Sequence, residues 1–91
     1  MNSRVSVAIE WQPTPGRDQV EQGFTRVVNG YGCLLVSPKE IGMEQHLRLT
    51  NLATCQIANG VVVWKGTHRT DGWELGVELI AASLDFWGVE L

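Results

Sequence analysis

The stretch Val27-Val28-Asn29-Gly30-Tyr31-Gly32-Cys33-Leu34-Leu35 decides how this chain folds. Two β-branched residues enter it, a short glycine-rich break follows, and an apolar run leaves it. Gly30 and Gly32 are free to take positive φ, or to let another backbone or a ligand come close. Asn29 tolerates left-handed geometry and hydrogen-bonds its own backbone readily. The segment predicts a sharp bend between two strands, and the same bend is a candidate wall for a ligand site.

Upstream, Val5, Val7, Ile9 and Trp11 alternate with Ser6, Ala8 and Glu10, the period of a half-buried strand. Pro13, Pro15 and Gly16 are expected to end it, since proline donates nothing to a ladder and glycine turns the chain. A polar lip over residues 17–22 then leads to a second strand at about 23–28. Downstream, residues 33–36 form a short strand apolar on both faces, Ser37-Pro38 starts a turn, and residues 39–43 cross to the next strand. In residues 46–50, Leu47 and Leu49 point inward while His46, Arg48 and Thr50 point outward.

Residues 54–64 are interrupted by Asn59-Gly60, which reads either as a hairpin turn or as a bulge in one long strand. A polar loop over 66–72, closing on Asp71-Gly72, precedes the cleanest strand. There Trp73, Leu75, Val77 and Leu79 take one side, and Glu74, Gly76 and Glu78 the solvated other. Ser83-Leu84-Asp85-Phe86-Trp87 predicts a short helix with Ser83 as N-cap, Asp85 in the first turn, and Leu84 and Trp87 facing the sheet. Five or six short antiparallel strands at even spacing, with one terminal helical turn, fit a small closed barrel filling a single domain.

Composition narrows the function. A 44% hydrophobic, 19% charged chain of 91 residues is an ordinary globular domain with a small core. No apolar run approaches the roughly 20 residues of a membrane span, and the lack of a basic-then-apolar leader predicts a cytoplasmic protein. The net charge of −3 argues against a general nucleic-acid binder, such as a barrel for single strands, yet leaves room for a small anion held by one or two arginines. Cys33 and Cys55, each in an apolar run, read as buried free thiols.

Catalytic chemistry finds no foothold. No Cys-x-x-Cys or His-x-x-x-His spacing suggests zinc, and none of Ser3, Ser6, Ser37 and Ser83 lies in a nucleophile elbow. His46 and His68 are expected on exposed edges or loops. These readings predict a binding protein rather than an enzyme, with no cofactor. Arg4, Arg17, Arg26, Arg48 and Arg69 are its candidate cations, and Trp11, Trp64, Trp73 and Trp87 are first of all core.

An Arg-Val-Ser-Val opening, then Thr25 to Leu35 as Thr-x-x-Val-Asn-x-x-Gly-Cys-Leu-Leu, Leu47-x-Leu49, Gly60-Val61-Val62-Val63-Trp64 and Leu75-Gly76-Val77-Glu78-Leu79 follow in order. Over nearly its whole length the chain resembles the PilZ family of bacterial regulatory domains. The resemblance implies a six-stranded antiparallel barrel with a C-terminal helix and a bulge, not a hairpin, at Gly60. It also implies a receptor for the second messenger cyclic di-GMP.

That family binds its ligand through Arg-x-x-x-Arg before the first strand and Asp/Asn-x-Ser-x-x-Gly after the second. Guanidinium groups clamp phosphates and fork to guanine edges, the polar turn bonds a base edge, and glycine lets the ligand approach. Here Arg4 matches the second arginine, while the first would fall one position before Met1. Gly32 matches the glycine, Asn29 stands in the serine position, and Val27 replaces the acid or amide. The resemblance thus implies a site of Arg4, Asn29, Gly30, Tyr31 and Gly32, with Arg26 as a support. Each missing polar partner costs about 1–3 kcal/mol, so two would weaken binding by roughly two orders of magnitude. The other reading is a PilZ-type domain that has lost the nucleotide and acts through a protein partner or adjoining domain, for which the tryptophans would serve.

Overall fold

The structure, a computed structural model, describes residues 2–81 and 85–88. Period-two alternation carries most of them into strands: β1 (Ser6–Thr14), β2 (Arg17–Asn29), β3 (Gly32–Ser37), β4 (His46–Asn51), β5 (Ile57–Arg69) and β6 (Gly72–Leu79). All neighbours pair antiparallel, and the strands close into a barrel in the order β1-β2-β3-β6-β5-β4, with β4 returning to β1. Val7, Ile9, Val28, Leu35, Leu49, Val62 and Leu75 are fully buried inside it. At about 1.5–3 kcal/mol for each buried side chain, this inward row outweighs the low strand propensity of the polar residues between.

Several boundaries differ from the sequence expectation. The polar lip at 17–22 is strand, because the two-residue loop Pro15-Gly16 is a tight hairpin: Thr14 faces Arg17, and Gly16 takes φ +81°, which proline before glycine favours. Pro13 stays within β1, where the β1–β2 register slips between Trp11 and Thr14 and no ladder N–H is demanded of it. The polar segment after Gly66 likewise continues β5 to Arg69, and the loop proper is Thr70-Asp71.

Asn59-Gly60 is neither hairpin nor bulge. β5 runs straight through it, with Gly60 opposite Leu47 on one side and Leu79 on the other. The bulges in β5 come later, between Val62 and Trp64 and between Lys65 and His68, both against β6. The terminal helix is a single 3-10 turn, Asp85–Trp87, which has too few residues for an α-helical ladder. The expected cap Ser83 and its neighbour Leu84 lie outside the described residues.

Both barrel ends are closed. Where the chain leaves β3 and crosses to β4, Ile41 is buried, and Glu44 and Val62 share a backbone bond of 2.7 Å. At the end nearer the Gly30-Tyr31 turn, Phe86 and Trp87 are buried, and buried Asn51 Nδ2 donates to the Phe86 carbonyl at 2.8 Å. No helix among the described residues is long and apolar enough to cross a membrane.

The cysteines part company. Cys33 packs against the core, and burial pushes its thiol up to about 12. Cys55, expected to be buried, is exposed at φ +64° in the turn between β4 and β5. Native protein at pH 8 is expected to take up one equivalent of iodoacetamide, at Cys55, and a second only after denaturation. Mass spectrometry of the alkylated peptides checks this, and native labelling of Cys33 would contradict it.

Candidate functional site

Arg4 is placed by a short extended segment laid along β2. Asn2 bridges Val27, Ser3 N–H donates to the Arg26 carbonyl at 3.0 Å, and Thr25 N–H donates to the Val5 carbonyl at 3.0 Å. Buried Thr25 fastens it: Val5 N–H donates to Thr25 Oγ1 at 2.9 Å, and that hydroxyl donates to the Ser3 carbonyl at 2.7 Å. The guanidinium of Arg4 then lies over the Phe24 ring, 3.8 Å from its centroid. Among the described residues Arg4 is in no ion pair. It opens onto a shallow depression of about 530 Å³ with Phe24, Arg26, Val27 and Leu34. Thr25→Val keeps the shape and removes both hydroxyl bonds, so a loss of about 1–3 kcal/mol is expected in a urea melt, together with weaker retention of whatever Arg4 holds.

The turn of the predicted site forms by two of the routes its sequence offers, Asn29 bonding its own backbone and a glycine admitting another strand, and not by left-handed geometry. None of Asn29, Gly30, Tyr31 and Gly32 has positive φ. Asn29 Oδ1 instead accepts from Tyr31 N–H at 2.8 Å and Gly32 N–H at 3.0 Å, so its carboxamide rather than left-handed glycine makes the bend. Gly32 is glycine because a Cβ there would run into the Val77 carbonyl of β6. Tyr31 is exposed. None of the four lines the Arg4 depression. Asn29 follows Val27 by two residues on the outward side of β2, about 7 Å along the strand, and its NH₂ group is left to donate outward.

Three residues of this face escape the sequence reading. Phe24 is shared by two guanidiniums, with Arg26 Cζ 5.8 Å from its centroid. Trp64, expected in the core, is 51% exposed. The bulge between Val62 and Trp64 reverses the in–out alternation, and the indole lies outside over Gly66 and Gly76, where added Cβ atoms would meet its ring and Cβ at 2.5 and 2.9 Å. Glu74, expected on a solvated face, is buried and held by Arg26 Nε at 3.0 Å and Arg69 Nε at 3.2 Å. The paired glycines near Trp64 were the one available signal.

Val27, Leu34, Gly76 and Trp64 stand side by side across β2, β3, β6 and β5. At about 4.8 Å per strand, this apolar row extends roughly 14 Å from beside Arg4 to the open indole.

A separate cleft of about 1160 Å³ shares no lining residue with this face and is floored by Trp11, Leu47 and Phe86. Its charged groups already have partners: Arg48 Nε meets Glu10 Oε2 at 2.6 Å, and the neutral Gln12 Nε2 donates to Asp18 at 2.6 Å. The hydrogen bond from Arg48 holds the Glu10 carboxyl below its ordinary range, and Arg26 does the same for Asp71. Both carboxylates therefore stabilise the fold above the ordinary carboxylate pKa and lose that contribution as pH falls through their lowered values. Among the described residues no group of three or more His, Cys, Asp or Glu is placed to hold a metal ion.

Set beside known proteins, the chain matches no family model, no curated sequence and no solved structure.

Proposed function

We propose that this chain is a PilZ-like regulatory barrel of bacterial cyclic di-GMP signalling that binds the dinucleotide weakly on the outer face of β2, β3, β6 and β5. One observation carries the reading: an arginine in no ion pair among the described residues is pinned over an aromatic ring beside an apolar row of dinucleotide length. Arg4 takes a phosphate, as a forked guanidinium does, and the open face of Trp64 takes a base. Weakness follows from Val27, which bonds no base edge, and from Asn29, whose oxygen serves the turn.

Calorimetric titration with cyclic di-GMP tests it. A charge-assisted hydrogen bond contributes about 1.5–3 kcal/mol, so Arg4→Ala is expected to weaken binding at least about tenfold. Trp64→Ala is expected to do the same through lost stacking, worth about 1–3 kcal/mol. Equal affinity in wild type and Arg4→Ala, or no binding at millimolar ligand, would overturn the assignment.

The alternative, a protein partner or adjoining domain on this face in place of the nucleotide, is favoured by the exposure of Trp64, Val63 and Tyr31 together. It requires that cyclic di-GMP leave these residues undisturbed.

A further inference from the structure

Arg26 is the extra residue of a bulge in β2: Thr25 faces Leu35 and Val27 faces Leu34, with nothing opposite Arg26. Such a position re-aims a side chain. This one goes to the outer face, where its guanidinium shares the Phe24 ring with Arg4, the two Cζ atoms less than 10 Å apart. Two guanidiniums at one ring, beside a depression both line, make a seat for a phosphate group.

Only one of the two cations is available. Arg26 Nε donates to Glu74 and Nη2 to Asp71. The two acids differ in kind. Glu74 is buried and also paired with Arg69, so it is a fixed part of the barrel wall. Asp71 stands on the two-residue Thr70-Asp71 loop, is exposed, and has Arg26 as its only ion-pair partner among the described residues. An exposed pair of this sort contributes only about 0–1 kcal/mol, little enough for a phosphate to exchange with the carboxylate.

We propose that Asp71 is a built-in competitor for the anion site, occupying Arg26 as a stand-in for phosphate and setting the affinity of the Arg4–Phe24–Arg26 seat below what two arginines would give. The assignment rests on the reading of this face as an anion site, and it adds the device that regulates it. Because Arg26 holds the Asp71 carboxyl below its ordinary range, the carboxylate stays charged at neutral pH, and release comes from a competing anion. Among the described residues, Arg4, Arg69, Asp71 and Glu74 are the charged groups that face Arg26 or its partners.

The test follows the Arg26 Nε–H resonance of the 91-residue chain by NMR while inorganic phosphate, and separately cyclic di-GMP, is added. Asp71→Asn is expected to make Arg26 answer phosphate at about fivefold lower concentration than wild type, the equivalent of about 1 kcal/mol. Glu78→Gln removes the same charge from an exposed position on β6 without touching Arg26, and is expected to behave as wild type. Asp71→Asn combined with Arg26→Gln, followed at the Arg4 Nε–H over the same ring, is expected to answer phosphate no more readily than wild type does at that resonance. An equal gain in Glu78→Gln, or none in Asp71→Asn, overturns the proposal. If Arg26 answers phosphate as expected while no variant binds cyclic di-GMP, the competitor stands and the nucleotide assignment falls.

Discussion

Trp87→Ala is expected to lower the unfolding free energy by about 3–5 kcal/mol, the range for deleting a buried aromatic. Trp87 is 1% exposed at the closed end of the barrel, where its ring meets Phe86 edge-on at 4.8 Å and its Nε1–H donates to the Asn29 carbonyl at 2.8 Å. The substitution opens a cavity and leaves that carbonyl without its donor. For a domain of this size, each kcal/mol lowers Tm by about 4–8 °C, so a fall of well over 10 °C is expected in a thermal scan. Trp87→Phe separates the two terms, since it keeps most of the packing and loses the bond, at a cost of about 1–2 kcal/mol. A loss below about 1 kcal/mol for Trp87→Ala would mean that the 3-10 turn does not close the barrel.

The second large effect belongs to Gly32. Gly32→Ala places a Cβ against the Val77 carbonyl and 3.1 Å from Glu78 Cα, both backbone of β6, so no rotamer change relieves it. The β3–β6 ladder must open where Gly32 faces Glu78. Overpacking of this sort costs about 1–3 kcal/mol or more, and added backbone displacement puts the expectation at the upper end. Gly42→Ala is the control, because nothing lies within 4 Å of a Cβ there and its φ is not positive. Urea melts of the two variants check the contrast, and equal stability would show that glycine at the elbow answers no steric need.

Residue by residue, the barrel was easier to read than the face. Val5, Val7, Ile9 and Trp11 are buried as their alternation predicts, and Leu47 and Leu49 likewise. Alternation reports burial directly, because a closed sheet has one inside. It fails where a bulge changes the count: one extra residue before Trp64 moved an expected core side chain to the surface. Another made Arg26 a neighbour of Phe24, Asp71 and Glu74. Bulges leave little local trace, since they answer to the partner strand.

Asn59-Gly60 shows the converse. A strong local turn signal is overruled because Gly60 is paired on both sides, to Leu47 and Leu79. At the predicted site, Arg4 and Val27 share a depression, while Asn29 to Gly32 make the neighbouring elbow. That Asn29 bonds its own backbone in that elbow is legible from its residue type, whereas the separation of the elbow from the Arg4 depression depends on side-chain placement that spacing does not carry.

The most direct measurement is a chemical-shift map of ¹⁵N-labelled protein titrated with cyclic di-GMP. The account predicts that the amides of Arg4 and Phe24 and the indole N–H of Trp64 move together, while the amides of Trp11 and Ile57 in the cleft stay still. Movement confined to the cleft, or no movement at millimolar ligand, would contradict it.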